Sequence, residues 1–229
     1  MTSVLRHAAR VAAKDLRIEL RSREIVYTMA FFGALIVVID AFVFPSNKPE
    51  LVRIAAPGML WVAIAFAGTI GLGRAFDRER ENDTMRALLL APIPRISVFL
   101  GKAVATTLLI IAVAVVVVPL LALFLQADLF AAPLILIGAI VGGAIGFSVV
   151  GSVFAAMLLK VRSRDVLLPV ILYPILIPLF TAGTSATAAL LREGSPDWDK
   201  ATFWLGFLGI YDAAALVLSF WIYEDLVIE

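Results

Sequence analysis

A helix needs about 20 mostly apolar residues to cross the hydrocarbon of a bilayer, and this chain holds six stretches of that kind. They run over 25–44, 51–73, 98–125, 130–159, 166–190 and 201–223. The runs are continuous rather than alternating apolar and polar with period two, so they do not read as strands of a closed barrel. Only 16% of the 229 residues are charged and 62% are hydrophobic. A soluble domain of this size has too little interior to hide so much apolar surface. The expected class is therefore an all-α integral membrane protein with six spans. The third and fourth runs exceed the minimum and should tilt or extend past the hydrocarbon. The first run is too long for a signal-peptide core of roughly 7–15 residues. It is followed by the bulky Phe42-Val43-Phe44-Pro45, so it reads as a retained span.

Charge sets the expected orientation. Fifteen of the nineteen basic residues fall in 1–24, in the connection between spans two and three with Lys102 beyond it, and in Lys160, Arg162 and Arg164. Lys48, Arg53, Arg192 and Lys200 lie on the other side. Cytoplasmic loops carry the excess of Lys and Arg, which puts both termini and the two basic connections inside. Arg6, Arg10, Lys14, Arg17 and Arg21 recur at helical spacing, with Leu5, Ala8, Ala12, Leu16 and Leu20 on an adjoining face. Residues 1–24 thus read as an amphipathic interfacial helix whose basic stripe meets lipid headgroups. A plain positive-inside anchor explains the same residues. Residues 25–229 form the six-span domain.

The connection between spans two and three is the most informative segment outside the membrane. A charged run, Asp77-Arg78-Glu79-Arg80-Glu81, leads into 82–91, and Pro92 and Pro94 follow. Asn82 or Asp83 is a suitable N-cap and Pro92 a stop, so about 82–91 reads as a short helix. Its Met85, Leu88 and Leu89 face needs a cover, which a solvated loop would not. Asp83, Thr84, Met85, Arg86, Leu88 and Leu89 are the expected contacts with a cytoplasmic partner. Gly101-Lys102-Ala103 lacks the upstream glycine and the hydroxyl residue of a phosphate-binding loop. Any ATP used must be hydrolysed by another chain.

Within the spans, Gly138, Gly142 and Gly146 are spaced by four, a register that lets helix backbones approach closely. Span five carries Pro169, Pro174 and Pro178, then Gly183, Thr184, Ser185 and Thr187. Prolines free backbone carbonyls, so a broken helix is expected there, with Tyr173, Pro174 and Pro178 on a candidate pathway. Asp212 falls near the middle of span six, where a carboxylate is either part of that pathway or bonded to a neighbouring helix. The remaining counts exclude other chemistry. There is no Cys, the single His is His7, and the net charge is +1. No thiolate or imidazole metal site and no nucleic-acid footprint can be built from that inventory, and the two acidic residues within spans, Asp40 and Asp212, form no evident pair. The chain is not expected to be an enzyme or to hold a cofactor of its own.

Six spans, an interfacial N-terminal helix and a docking helix between spans two and three resemble an ABC-2 type exporter permease. Four elements resemble the haem exporter B family of cytochrome c maturation, CcmB. They are Arg53-Ile54-Ala55-Ala56-Pro57-Gly58-Met59-Leu60-Trp61, Arg74-Ala75-Phe76-Asp77-Arg78-Glu79, Leu88-Leu89-Leu90-Ala91-Pro92-Ile93-Pro94 and Gly101-Lys102. The run Pro174-Ile175-Leu176-Ile177-Pro178-Leu179 is similar as well. Entering the docking helix, Asn82-Asp83-Thr84-Met85-Arg86 departs from the Asp-Gly-Ser/Thr-Leu-Glu common in that family. The resemblance implies a subunit of a bacterial inner-membrane complex, paired with a cytoplasmic ATPase (CcmA) and with a second copy of itself. It implies association with the haem-handling subunit CcmC, the small CcmD and the haem chaperone CcmE. Haem and ATP would then be handled by those partners. Two readings compete with it: an ABC-2 permease for a lipid, polysaccharide or drug, and a scaffold that relays ATPase motion without transporting anything.

Overall fold

The computed structural model describes residues 2–44, 49–81, 94–158, 161 and 163–226. Its elements are seven helices: α1 (Thr2–Ser22), α2 (Glu24–Val43), α3 (Pro49–Glu81), α4 (Arg95–Leu125), α5 (Pro133–Met157), α6 (Arg164–Leu190) and α7 (Trp198–Leu226). No strand occurs among the described residues. Six helices, α2 to α7, are long and apolar enough to cross a membrane. The chain is an all-α membrane protein.

α4 sits centrally, packing on α1, α2, α3 and α5, while α6 packs on α3, α5 and α7, and α5 also packs on α7. The least covered helices are α2 and α7. Their exposed Phe31, Ile39, Phe42, Ile210 and Trp221 are the side chains of a lipid-facing surface rather than of a core.

α1 turns into α2 at Arg23, which adopts a left-handed φ of 57°. A non-glycine residue holds that conformation only where its surroundings enforce it. Here the enforcement comes from Glu19, which is 4% exposed and accepts the Val26 N–H at 2.9 Å. One carboxylate of α1 thus satisfies an orphan donor at the start of α2. At the opposite end of the bundle Asp197 does the same for α7, accepting from Lys200 N–H at 3.1 Å while pairing with Arg192 at 2.8 Å.

Two expectations change. The face of α1 against the bundle is Ala8, Val11, Ala12 and Glu19, whereas Leu5 and Leu20 are 58% and 75% exposed. The reason is Gly101 of α4, where an added Cβ would stand 2.6 Å from Val11 Cβ and 2.8 Å from the Ala8 carbonyl oxygen. That missing side chain draws α1 in along Ala8 and Val11. Leu5, Ala9, Ala13 and Leu20 remain outside, next to the exposed Arg6, Arg10, Arg17 and Arg21. Second, α6 is not broken, because Pro169, Pro174 and Pro178 all lie inside one helix. Each proline removes a single N–H, and the other backbone groups have no better partner at membrane depth than their own helix.

Candidate functional site

Two helices close on one ring of a third. Trp61 on α3 is 2% exposed. A Cβ at Gly143 of α5 or at Gly183 of α6 would overlap its indole. Two glycines on two different helices therefore form the slot that receives it. The indole N–H donates to Thr187 Oγ at 3.1 Å, and that hydroxyl donates to the Gly183 carbonyl at 2.8 Å. A buried Trp donor is satisfied within the same slot that its ring fills.

On the outward side of Trp61, α3 and α6 diverge and leave a groove of about 490 Å³. Gly58, Trp61 and Phe66 form one wall; Tyr173, Pro174 and Phe180 form the other. Phe180 lies at the centre of an aromatic cluster, with its centroid 6.4 Å from Trp61, 6.4 Å from Phe147 and 6.3 Å from Tyr173. The Tyr173 hydroxyl is 3.1 Å from Thr69 Oγ, and Thr69 also donates to the Ala65 carbonyl at 2.8 Å. The polar atoms of Trp61 and Tyr173 bond to Thr187 and Thr69 of the same two helices, so apart from the Thr184 hydroxyl the groove presents an apolar, aromatic surface. No acidic or basic side chain lines it. Such a surface suits a flat or chain-like apolar group and offers nothing to a hydrophilic one.

Behind α6 lies a second region of different character. Gly138, Gly142 and Gly146 of α5 all face α7 or α6. An added Cβ would stand 3.3 Å from Leu205 at Gly138, and 3.5 Å from Leu208 at Gly142. At Gly146 it would overlap both Asp212 Oδ1 and Leu179 Cδ1. Asp212 is 8% exposed, and Oδ1 has no hydrogen-bond partner among the described residues. Its neighbour Tyr211 donates instead to the Ile175 carbonyl at 3.0 Å, fastening α7 to α6.

The four expected pathway residues therefore do not converge. Tyr173 and Pro174 line the groove, Pro178 is exposed on α6, and Asp212 sits in the α5–α7 seam. The expected partner contacts Asp83, Thr84, Met85, Arg86, Leu88 and Leu89 lie outside the described residues. No group of three or more His, Asp or Glu that could hold a metal ion occurs among the described residues. Sequence reasoning passed over Gly143, Gly183 and Thr187 as a set. Their pairings with Trp61 span 82 residues for Gly143 and more than 120 for Gly183 and Thr187, and leave no local pattern. The Pro57-Gly58-(two residues)-Trp61 element was the one signal that something specific is built there.

The family model for the CcmB protein matches residues 6–226, nearly the whole chain. The chain belongs to the CcmB family. Among curated relatives, the Heme exporter protein B of Pseudomonas aeruginosa is 29% identical over 199 residues, covering 87% of this chain and 86% of that protein. The Heme exporter protein B of Paracoccus denitrificans is 28% identical over 207 residues, with 90% and 91% covered. That of Escherichia coli is 31% identical over 97 residues, 42% and 43% of the two chains. This CcmB-family chain thus matches two of the three along most of their length, with the groove and the seam both inside the matched family region.

Proposed function

We propose that this chain is the membrane-spanning subunit of an ATP-driven complex of cytochrome c maturation, coupling hydrolysis by a separate ATPase to haem export or to release of the haem-loaded chaperone. The match to the CcmB family over residues 6–226 carries the proposal. The relatives are Heme exporter B proteins, which supplies haem, and the absence of any phosphate-binding loop in the sequence assigns ATP to a partner. The ATPase is CcmA, docked on the 82–91 segment. CcmC, CcmD and CcmE complete the assembly, with a second copy of this chain. The end of the bundle that carries α1 faces the cytoplasm, on the strength of the basic asymmetry. There the exposed Arg6, Arg10, Arg17 and Arg21 lie against anionic headgroups of the inner membrane, and Leu5 and Leu20 dip beneath them.

Tyr173 and Pro174 face the working groove, and the groove favours one version of this function. Its walls offer a phenol already bonded to Thr69 and the Thr184 hydroxyl, and the one histidine of the chain is His7 on α1. Haem iron would find no imidazole or thiolate ligand along the spans. Mechanical release of a partner needs none.

Complementation decides between this reading and an ABC-2 permease for another cargo. Expressed in a bacterium whose own CcmB gene is deleted, the chain together with its ATPase should restore c-type cytochromes. Unrestored cytochromes from a stably inserted chain that recovers its ATPase would transfer the case to lipid or polysaccharide export. Orientation is tested separately, because the chain lacks cysteine. An impermeant thiol reagent applied outside should label Ser195→Cys and leave Ser163→Cys unlabelled. The reverse pattern overturns the topology.

A further inference from the structure

At the α1 end of the bundle, three helices meet on one phenyl ring and α1 is tied to one of its cations. Phe76, near the end of α3, is 1% exposed. Lys102 Nζ of α4 stands 5.0 Å from its centroid, and Arg164 Cζ, at the first residue of α6, 5.7 Å from it. Lys102 is 4% exposed and Arg164 1%. Arg164 also donates to the Gly73 carbonyl at 3.1 Å, with the Leu72 carbonyl at 3.5 Å. Lys102 pairs with Asp15 of α1 at 3.2 Å. The start of α6 is thus tied to the α3 backbone by a guanidinium, and α4 and α1 are tied to the same point by an ammonium.

Two buried cations are an expensive way to fill space. A methionine at either position would occupy similar volume without the cost of desolvating a charge. What the cations add is direction: a guanidinium fork fixes an angle against carbonyls and a ring face that an apolar chain would let slide. The location matters equally. The 82–93 connection joins α3, which ends at Glu81 five residues after Phe76, to α4, which begins at Arg95 seven residues before Lys102. The end of α3 and the start of α4 therefore lie within about two helical turns of this stack. Beyond Arg164, α6 runs unbroken to Tyr173, Pro174 and Phe180, one wall of the groove.

We infer that the Lys102–Phe76–Arg164 stack is the joint that passes displacement of the end of α3 and the start of α4 to α6 and so to the α3–α6 groove. Arg164, Phe76 and Lys102 are positioning residues for energy coupling. They touch neither nucleotide nor cargo. The inference rests on the proposed function, in which an ATPase docks on the 82–91 segment.

The test uses the assembled complex with Arg164→Met, Arg164→Lys and Leu88→Asp variants. Three quantities are followed: ATPase recovery, ATP hydrolysis and c-type cytochrome yield. Arg164→Met should recover the ATPase and hydrolyse ATP within about twofold of wild type while cytochrome yield falls roughly tenfold, a coupling loss of ordinary size. Arg164→Lys should fall between, because it keeps charge and loses the fork. Spin labels on Ile54→Cys and Thr181→Cys, one on each wall helix, supply a second readout. A nucleotide-dependent distance change in the otherwise wild-type chain should be lost in Arg164→Met. Undiminished cytochrome yield with an unchanged distance response overturns the joint, and so does loss of ATPase recovery in Arg164→Met. Leu88→Asp separates the two levels of the argument. If it keeps its ATPase, the docking assignment fails. If it loses the ATPase while Arg164→Met stays coupled, the joint alone fails.

Discussion

The groove between α3 and α6 and the seam between α5 and α7 are both lined by apolar side chains, and each contains polar groups at membrane depth. They solve the polar problem in opposite ways. In the groove the indole N–H and the Tyr173 and Thr69 hydroxyls all bond within the walls, so the polar atoms stiffen a cavity that stays open. In the seam, Asp212 is pressed against Gly146 with no donor facing Oδ1 among the described residues, and a Cβ there would overlap it. A polar residue in a span is therefore no marker of a pathway by itself. What matters is whether its bonding leaves room beside it.

The comparison breaks most visibly at Trp61. Trp61→Ala would empty a slot formed by Gly143 and Gly183 and remove the donor to the Thr187 hydroxyl, so destabilisation of about 3–5 kcal/mol is expected for a buried Trp truncation. Thermal unfolding of the purified chain in detergent measures it. A drop below about 1 kcal/mol would show that α3, α5 and α6 do not close on this ring.

The seam is sharpened by a pair of substitutions four residues apart. Gly146→Ala should cost about 1–3 kcal/mol, since its methyl overlaps Asp212 and Leu179. Gly142→Ala should be near neutral, since its methyl would meet Leu208 at 3.5 Å and Asp212 Oδ2 at 3.8 Å, ordinary contact distances. Equal effects at the two sites would mean that α7 sits in another register on α5.

The smallest effects fall on the polar groups. Tyr173→Phe removes a hydrogen bond inside the membrane, worth about 0.6 kcal/mol on average. Asp212→Asn replaces an unpartnered carboxyl with a neutral group of the same shape, and stability should hold or rise. Melting temperatures and c-type cytochrome yields of both variants decide the contrast. Abolished maturation in an intact Asp212→Asn chain would move the pathway from the groove to the seam.

How much was legible beforehand follows from the range of each interaction. The six spans and their ends within a few residues follow from hydropathy, because the bilayer imposes helical length and internal backbone bonding on each segment separately. The glycine spacing of α5 was visible for the same reason, since it is a period on one helix. Its tightest member, Gly146, was not distinguishable from Gly142, because the difference lies in Asp212 and Leu179 on other helices. Lys102 and Arg164 look like ordinary flanking charges in the sequence. Folding buries both against Phe76, at positions 26 and 88 residues away along the chain.

By itself, then, the amino-acid sequence determined the all-α membrane class, the six segments and the family to which the chain belongs, since each depends on local hydropathy or on short runs of residues. Only the tertiary structure decided which face of α1 is covered, that α6 stays whole through three prolines, and that Tyr173 and Asp212 serve different regions. Those outcomes depend on which side chains of distant helices occupy the same few cubic ångströms. Hydropathy is a property of one segment at a time, and close packing is a property of pairs.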